Sequence, residues 1–227
     1  MYASQRREEI YELMLKKHFL SVAYLSNLYH VSEVTIRNDL RRLEQEGKVE
    51  RNYGGARLKE WPDPPTFSES LILQYEAKQS IVEKAVQFIR PGDSIFLDAS
   101  TTTLLLAQKV AQIEGITVVS NSIPVFEVLK EYQKGTLIGV PGTLNPATQS
   151  FVGPFAEQML SNLRVNKAFI TPKGILPEGL RDQIIIEATI RKKAIDIADE
   201  VIVLADHSKF ATNDYLVSID RFDGVRV

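Results

Sequence analysis

The sequence predicts a small winged helix-turn-helix domain followed by a larger α/β domain with a mostly parallel sheet. Three helical patterns and a pair of short strands around Gly54-Gly55 fall within the first 58 residues. Beyond a proline cluster at 62–65, helices and strands alternate along the chain. Strands that alternate with helices are joined by right-handed crossovers into parallel sheets. We therefore expect domains at 1–58 and 76–227, joined by a linker over 59–75.

The first domain takes its predicted helices from apolar spacing and capping residues. Ser4 can cap the first helix, and Gly47 can end the third. The second and third helices form a helix-turn-helix core at about 20–39, and the two strands form a hairpin. The predicted helices cover residues 5–18, 22–29 and 33–46, and the strands lie within 48–58.

The proline cluster separates this domain from the next because proline lacks an N–H group and restricts the preceding residue to extended backbone. After it, apolar segments bounded by glycine and proline predict five strands between five helices. The predicted helices cover residues 76–90, 103–113, 124–132, 153–162 and 184–198, and the strands cover 94–98, 116–119, 136–140, 167–171 and 201–205.

Composition excludes several classes of protein. The 227 residues are 44% apolar and 25% charged, which is the balance of a folded soluble protein. The absence of cysteine excludes disulfides, thiolate metal sites and cysteine nucleophiles, and the three histidines are too scattered for a metal site. No apolar run approaches the length of a membrane span, and we expect no signal peptide, because the N-terminal residues lack an apolar core. We expect a cytoplasmic protein without cofactor, metal or membrane association.

The charge distribution is uneven. The net charge is −2, yet residues 1–60 hold 11 basic and 9 acidic side chains, and within 37–59 the count is seven against four. Basic charge concentrated in one small segment is typical of nucleic-acid binding, although most charged runs are simply solvated surfaces.

The third predicted helix has a polar face that suits DNA. Its buried stripe runs through Ile36, Leu40 and Leu43, which leaves Asn38 and Arg41 on the opposite face. An amide can pair bidentately with adenine, and a guanidinium with guanine, in the major groove. A solvated polar face, or a winged helix that contacts only protein, produces the same pattern. We favour DNA binding.

Polar loops follow four predicted strands of the larger domain. In an α/β sheet these loops meet at the carboxyl edge, where ligands bind, and the helix N-termini there suit an anion. Each loop alone is typical of a helix cap, but together they predict a ligand pocket. The loops are Asp98-Ala99-Ser100-Thr101-Thr102-Thr103, Ser120-Asn121-Ser122, Pro141-Gly142-Thr143 and Asp206-His207-Ser208-Lys209.

The N-terminal residues also match a family pattern. The matching residues are Arg6, Ile10, Met14, Ser32-x-x-Thr35-Ile36-Arg37-Asn38-Asp39-Leu40, Leu43-Glu44-x-x-Gly47 and Tyr53-Gly54-Gly55-Ala56. This run resembles the DeoR family of bacterial transcription regulators. The resemblance implies that residues 31–42 are the recognition segment and that 51–57 form a wing beside the sugar-phosphate backbone. The predicted DNA-binding residues are Ser32, Thr35, Arg37, Asn38, Arg41, Arg42, Arg51 and Arg57. We expect Asp39 to pair with a wing arginine such as Arg51.

The larger domain resembles the sensor domain of the same regulators. The matching segments are Leu97-Asp98-x-Ser100-Thr101-Thr102, Ser120-Asn121-Ser122, Pro141-Gly142, Phe151-Val152-Gly153, Glu187-Ala188-x-Ile190-Arg191-Lys192 and Leu204-Ala205-Asp206-His207-Ser208-Lys209. The resemblance implies a fold similar to ribose-phosphate isomerases and coenzyme A transferases, with a phosphorylated sugar or polyol as effector. The predicted effector-binding residues are Asp98, Ser100, Thr101, Thr102, Asn121, Ser122, Gly142, Glu187, Asp206 and Lys209.

This chain departs from the family pattern in three ways. Ser100 and Pro141 replace glycines, and Arg191 stands where lysine is common. The chain also ends at 225–227, within what the pattern predicts to be a final strand. We therefore expect the domain to lack its last elements.

Two functions fit this pocket. An isomerase-like enzyme could use the acid–base groups there, which are Asp98, Lys173, Glu187, Asp206 and Lys209. We favour a sensor, in which Asp98 and Asp206 hold sugar hydroxyls, Glu187 pairs with Arg191, and Lys209 neutralises phosphate. Because a DNA-binding domain is attached, control of DNA binding is enough to explain a ligand pocket without catalysis.

The sequence thus predicts a non-enzymatic, DNA-binding repressor of a carbohydrate-metabolism operon. Its expected partners are double-stranded operator DNA and a phosphorylated sugar or polyol. We also expect a homodimer or homotetramer, because one winged helix reads only a half-site.

Overall fold

The computed structural model describes residues 3–16, 19–52, 54–58, 67–210, 217–220 and 225–226. The chain divides into two compact units, Met1–Pro64 and Pro65–Val227. Within the described ranges, no helix is both long enough and apolar enough to cross a lipid bilayer.

The first unit is a winged helix-turn-helix, as predicted. Its three strands form one antiparallel sheet in the order β1-β3-β2. Ser4 lies inside the first helix instead of capping it, and the two-residue strand β1 was not expected. The elements are α1 (Ala3–Lys16), β1 (Leu20–Ser21), α2 (Val22–Tyr29), α3 (Glu33–Gln45), β2 (Val49–Asn52) and β3 (Gly55–Leu58).

The core of this unit joins all three helices and the wing. Ile10 and Met14 of α1 are fully buried against the predicted stripe of α3, which contains Ile36, Leu40 and Leu43. Leu28 of α2, which the spacing places inward, is instead 44% exposed. The packed core fixes the orientation of α3 and leaves its polar face outward.

The second unit contains a six-stranded parallel sheet, which confirms the predicted α/β class. Its order, β14-β12-β9-β4-β5-β6, places strands side by side that are far apart in the chain. The strands are β4 (Ser94–Leu97), β5 (Thr117–Ser120), β6 (Thr136–Gly139), β9 (Val165–Ile170), β12 (Ala198–Val203) and β14 (Val225–Arg226).

Helices cover both faces of this sheet. Phe96 of β4 packs into one apolar cluster, while its neighbours Ile95 and Leu97 pack into the other, because successive side chains of a strand point to opposite faces. The helices are α4 (Phe67–Ile72), α5 (Tyr75–Ala85), α6 (Thr101–Val110), α7 (Ile123–Leu129), α8 (Pro154–Ser161) and α9 (Ile185–Ile197), with 3-10 turns at Val86–Phe88 and His207–Lys209.

The predicted linker, 59–75, extends too far toward the C-terminus. Residues 59–66 lie outside the described part of the chain, but α4 follows at once and α5 begins at Tyr75. Phe67 and Leu71 of α4 pack against the core of the second unit. Burial of these apolar side chains makes α4 part of the second unit.

Short antiparallel strands complete the second unit, and the sequence did not predict them. One pair, β7 (Thr143–Asn145) and β8 (Ser150–Val152), forms a hairpin after β6. The others form a three-stranded sheet of β10 (Gly174–Leu176), β11 (Gly179–Asp182) and β13 (Val217–Asp220). Runs of three or four residues are too short for alternation to be recognised.

Candidate DNA interface and effector pocket

The polar face of α3 is exposed and starts from a capped N-terminus. The Ser32 hydroxyl accepts the Thr35 backbone N–H at 3.2 Å and lies 2.9 Å from the Thr35 hydroxyl. Asn38 and Arg41 follow on the exposed side, where the Arg41 guanidinium donates to the Asn38 side-chain oxygen at 3.1 Å. With Arg42 and Gln45, these two side chains line a shallow depression. The arrangement offers donors and an amide at one surface, as a major-groove reader requires.

Other exposed residues of α3 frame this depression. Arg37 is paired with Glu33 at 2.7 Å, one turn earlier on the helix. Val34, which is 63% exposed, adds an apolar contact suited to a thymine methyl group.

Asp39 has a different partner from the one predicted. Its carboxylate is buried and accepts the Arg6 Nε–H at 2.7 Å, with Arg7 at 3.6 Å, whereas Arg51 pairs with Glu44 at 2.7 Å. The helical turn that holds Asp39 faces α1, so the carboxylate meets the arginines of α1 and not the wing. Asp39 therefore ties α1 to the recognition helix.

The wing carries two exposed arginines. Glu50 of β2 lies opposite Arg57 of β3, and their side chains pair at 2.7 Å. Gly55 lets the turn approach β1, because a Cβ there would lie 2.3 Å from the Leu20 carbonyl oxygen. Tyr53 lies outside the described residues. Both wing arginines, Arg51 and Arg57, carry carboxylate partners that phosphate contacts would replace.

At the carboxyl edge of the large sheet, the start of α6 meets the end of β9. Ser100 caps α6 by accepting the Thr103 N–H at 3.0 Å, and its hydroxyl also lies 2.9 Å from that of Thr171. The side chains of Thr101 and Thr102 lie in the first turn of α6 and are largely buried. The first N–H groups of a helix have no partner within the helix, so this turn can receive an anion.

Arg191 of α9 is buried between two carboxylates. Its Nε–H donates to Asp98 at 3.1 Å, and its guanidinium also donates to Asp182. The expected pair between Glu187 and Arg191 is therefore wrong. Asp98 and Asp182 take the guanidinium because β4 and β11 bring them onto the buried side of α9, whereas Glu187 faces the β7–β8 hairpin.

Asp98 does not fit the expected role of binding ligand hydroxyls. Besides Arg191, its carboxylate accepts the Thr171 N–H at 2.7 Å and the Thr103 hydroxyl at 3.0 Å, and only 1% of the residue is exposed. Burial raises the pKa of Asp98, an effect that the nearby Arg191 guanidinium and the Thr171 N–H oppose. Asp98 holds the ends of the central strands together.

Glu187 likewise binds protein groups in place of a ligand. One of its oxygens accepts hydrogen bonds from Asn145 at 3.0 Å, from the Thr148 hydroxyl at 2.7 Å and from the Ser150 hydroxyl at 2.9 Å. These donors belong to the β7–β8 hairpin, so Glu187 anchors the hairpin to α9. Sequence spacing gave no signal for these partners, which lie 37 to 42 residues away.

Asn121, Ser122 and Gly142 lie where the hairpin meets the sheet. Asn121 is buried, and its amide donates to the Phe151 carbonyl oxygen at 2.9 Å, while its side-chain oxygen has no hydrogen-bond partner in the described structure. Ser122 is buried and caps α7. A Cβ on Gly142 would lie 2.6 Å from the Val152 carbonyl oxygen, so this position has no room for a side chain.

The end of β12 supplies Asp206 and Lys209. Burial raises the pKa of Asp206, but hydrogen bonds from the backbone and hydroxyl of Ser208 outweigh it, so the pKa lies below its usual value. Burial lowers the pKa of Lys209, although the nearby Asp206 carboxylate partly restores it. The Lys209 ammonium makes no hydrogen bond or ion pair with any side chain that the structure describes.

Lys173 is a further cation at this edge, which the sequence indicated as an acid–base candidate or as an alternative to Lys209 for holding the phosphate. It follows Thr171 at the end of β9, and β9 lies between β4 and β12. Burial, together with the Lys209 and Arg191 cations, lowers the pKa of Lys173 to about 8. Strand order, which the sequence does not give, brings Lys173 to the predicted pocket. In the described parts of the chain, no cluster of three or more histidines and carboxylates is placed to hold a metal ion.

Comparison with known proteins identifies two domains. A DeoR-like helix-turn-helix domain matches residues 6–61, and a DeoR C-terminal sensor domain matches residues 73–225. The chain is 34% identical to the putative aga operon transcriptional repressor of Escherichia coli O157:H7, over 99% of this chain and 86% of that protein. It is 32% identical to the lactose phosphotransferase system repressor of Streptococcus mutans serotype c, over 95% and 87%. These relatives are named as regulators and not as enzymes.

Among solved structures, a D-ribose-5-phosphate isomerase in complex with phospho-erythronic acid is similar to this chain. It is 19% identical, with a TM-score of 0.46, and the similarity covers 63% of this chain and 56% of that one.

Proposed function

Because this chain belongs to the DeoR family of transcription regulators, we propose that it is a sequence-specific DNA-binding repressor of a carbohydrate-metabolism operon, controlled by a phosphorylated sugar or polyol. The exposed face of α3 carries this proposal. Asn38 and Arg41 project from a helix whose N-terminus is capped and whose buried side is fixed by the Arg6–Asp39 pair. A reader of base edges needs such a rigid support.

Each DNA contact has a distinct proposed role. Asn38 and Arg41 read bases, while Ser32 and Thr35 bind phosphate near the start of α3. The remaining arginines, which are Arg37, Arg42, Arg51 and Arg57, bind the sugar-phosphate backbone. Two copies of the chain bind together on neighbouring half-sites, and the complex forms in the bacterial cytoplasm.

The relatives support the carbohydrate operon, since one is named as a repressor of the aga operon and another as a repressor of the lactose phosphotransferase system. The effector pocket lies at the carboxyl edge of the large sheet. There the first turn of α6 and the ammonium of Lys209 can receive a phosphate, and Asp206 and the neighbouring loops can receive hydroxyls. The residues proposed for the pocket are Ser100, Thr101, Thr102, Asn121, Ser122, Gly142, Asp206 and Lys209.

The test begins by selecting a duplex that the full chain binds from a random DNA pool. Fluorescence anisotropy then measures its affinity for that duplex alone and with each member of a panel of pentose, hexose and polyol phosphates. We expect one member to change operator affinity by roughly 5–150-fold, and the matching unphosphorylated sugar to have no effect. If the chain selects no preferred duplex, the proposed function as a sequence-specific repressor is wrong. If it selects a duplex but no phosphate ester changes its affinity, the proposed effector is wrong.

A further inference from the structure

Lys173 has an unusual environment for a lysine. Its backbone N–H donates to the Arg181 carbonyl oxygen at 3.1 Å, which fixes the chain at the end of β9, and the residue is partly buried. The ammonium has no hydrogen bond or ion pair within the described residues. Buried lysines are rare unless they are paired, because an ammonium loses its hydration in the interior.

The charges around Lys173 do not balance it. The nearby cations are Lys209 and Arg191, and the nearby anions are Asp98 and Asp182. Both carboxylates are already engaged by Arg191. Lys173 therefore remains a partly buried cation beside other cations, an arrangement that costs stability and that a bound anion would relieve.

An anion bound at the start of α6 would lie close to the end of β9, which leads into Lys173. Thr171, two residues earlier, touches the Ser100 cap of α6 at 2.9 Å, so Lys173 follows directly on the contact between β9 and the anion-receiving turn of α6. Lys209 directly precedes Phe210, and Phe210 forms a parallel bridge with Ile175, so the segments that carry Lys173 and Lys209 run side by side. Two lysines and a helix N-terminus therefore belong to neighbouring segments at one edge of the sheet.

We propose that Lys173 is a second effector-binding lysine, and that Lys173 and Lys209 together hold the phosphate of the effector as a dianion. This inference rests on the proposed function and specifies its ligand as a phosphate monoester. Two neighbouring, partly buried cations favour a group with two negative charges over a group with one. The pocket should therefore discriminate between a sugar phosphate and the matching sugar sulfate, which carries a single charge.

The same charges predict a pH range for binding. A phosphate monoester loses its second negative charge below about pH 6. Lys173, with a pKa of about 8, loses its proton above that pH in the free protein. Lys209 faces Asp206, Arg191 and Asp182, and Lys78 lies near Lys209 and Asp206. Effector affinity should be highest between pH 6 and 8. The decrease in affinity above pH 8 should depend on Lys173.

The test compares Lys173→Met with Lys192→Met, which removes an exposed lysine of α9. The probes are inorganic phosphate and the panel of sugar phosphates, each measured by thermal shift and titration calorimetry on the full chain. We expect Lys173→Met to raise Tm without ligand, to weaken phosphate binding at least tenfold, and to remove the preference for phosphate over sulfate esters. Lys173→Gln repeats the comparison with a polar, uncharged side chain. Lys173→Arg keeps the positive charge and should retain the preference for phosphate over sulfate esters.

The outcomes separate the two proposals. If wild-type protein binds neither inorganic phosphate nor any panel member, the phosphorylated effector itself is wrong, and the role of Lys173 falls with it. If wild-type protein binds a phosphate ester and Lys173→Met and Lys173→Gln bind it equally well, only the role of Lys173 is overturned. A lowered Tm with unchanged phosphate affinity would assign Lys173 a structural role. The proposal is also contradicted if the affinity of Lys173→Met for the phosphate ester decreases above pH 8 as much as that of wild-type protein does.

Discussion

The two units differ in whether their charged side chains away from solvent have ion-pair partners. In the described part of the first unit, the buried charged side chains are Arg6 and Asp39, which pair with each other. The groups proposed to contact DNA lie on its surface. In the second unit, Arg191 is paired twice, whereas Lys173 has no partner in the described structure. The paired buried charges hold the fold together, whereas the unpaired Lys173 is the lysine that we propose binds the effector.

Replacement of Arg191 should produce the largest loss of stability. Arg191→Met leaves Asp98 and Asp182 buried without their cation, and breaking a buried pair typically costs 3–5 kcal/mol, about 5 kcal/mol being expected here. Urea unfolding monitored by circular dichroism measures the loss, and hydrogen exchange locates it in the second unit. Lys192→Met, one residue away, is the control and should change stability by less than about 0.5 kcal/mol. Equal stability of Arg191→Met and wild-type protein would show that the buried network is not structural.

The corresponding change in the first unit should have a smaller effect. Arg6→Met leaves one buried carboxylate, Asp39, and Arg7 remains 3.6 Å from it, so we expect a loss of about 3 kcal/mol. Hydrogen exchange should increase in α1 and α3 but not in the second unit. Arg51→Met, which removes an exposed pair with Glu44, is the matched control and should change stability much less than Arg6→Met does, because water screens an exposed pair. The reverse order of effects would mean that Asp39 depends on the wing after all.

Replacement of Lys173 should raise the stability of the protein, whereas replacement of Arg191 or Arg6 lowers it. The Lys173 pKa of about 8 in the folded protein lies below the ordinary value of 10.5, so the folded state binds the proton less tightly than the unfolded state does. The cost of the buried cation is fully present below pH 8 and disappears as the pH rises toward 10.5. The stability of wild-type protein relative to Lys173→Met should therefore increase by about 2 kcal/mol between pH 7 and pH 9.5. A difference that is constant over this range would show that Lys173 titrates normally.

The same contrast explains what the sequence could predict. The recognition face of α3 follows from a single helix, because Ile36, Leu40 and Leu43 fix which side is buried and Asn38 and Arg41 must then face outward. The partner of Asp39 does not follow, since Arg6 is 33 residues away on another helix. Local periodicity identifies faces, and only the packed structure identifies partners.

The pocket was predictable only in outline. The loops after β4, β5 and β12 could be placed at one edge of a parallel sheet from the sequence. Strand order, however, places β9 beside β4 and so brings Thr171, two residues before Lys173, into contact with Ser100. The roles of Asp98 and Glu187 were wrong for a related reason, because both carboxylates meet donors from distant segments that no spacing rule connects to them.

The smallest effects are expected at the DNA surface, where single contacts are solvated. Arg41→Ala should reduce affinity for the selected duplex by about 1–3 kcal/mol and relax the preference at one base pair, because Arg41 is proposed to read a base. Arg57→Ala should weaken binding to selected and random duplexes alike, because Arg57 is proposed to bind phosphate. It should also reduce the slope of log affinity against log salt concentration by about one. Its loss should be the smaller of the two, since Arg57 must first leave Glu50, at 2.7 Å in the free protein. Fluorescence anisotropy at several salt concentrations distinguishes the two patterns. Identical behaviour of both variants on selected and random duplexes would contradict the division between base-reading and backbone-binding arginines.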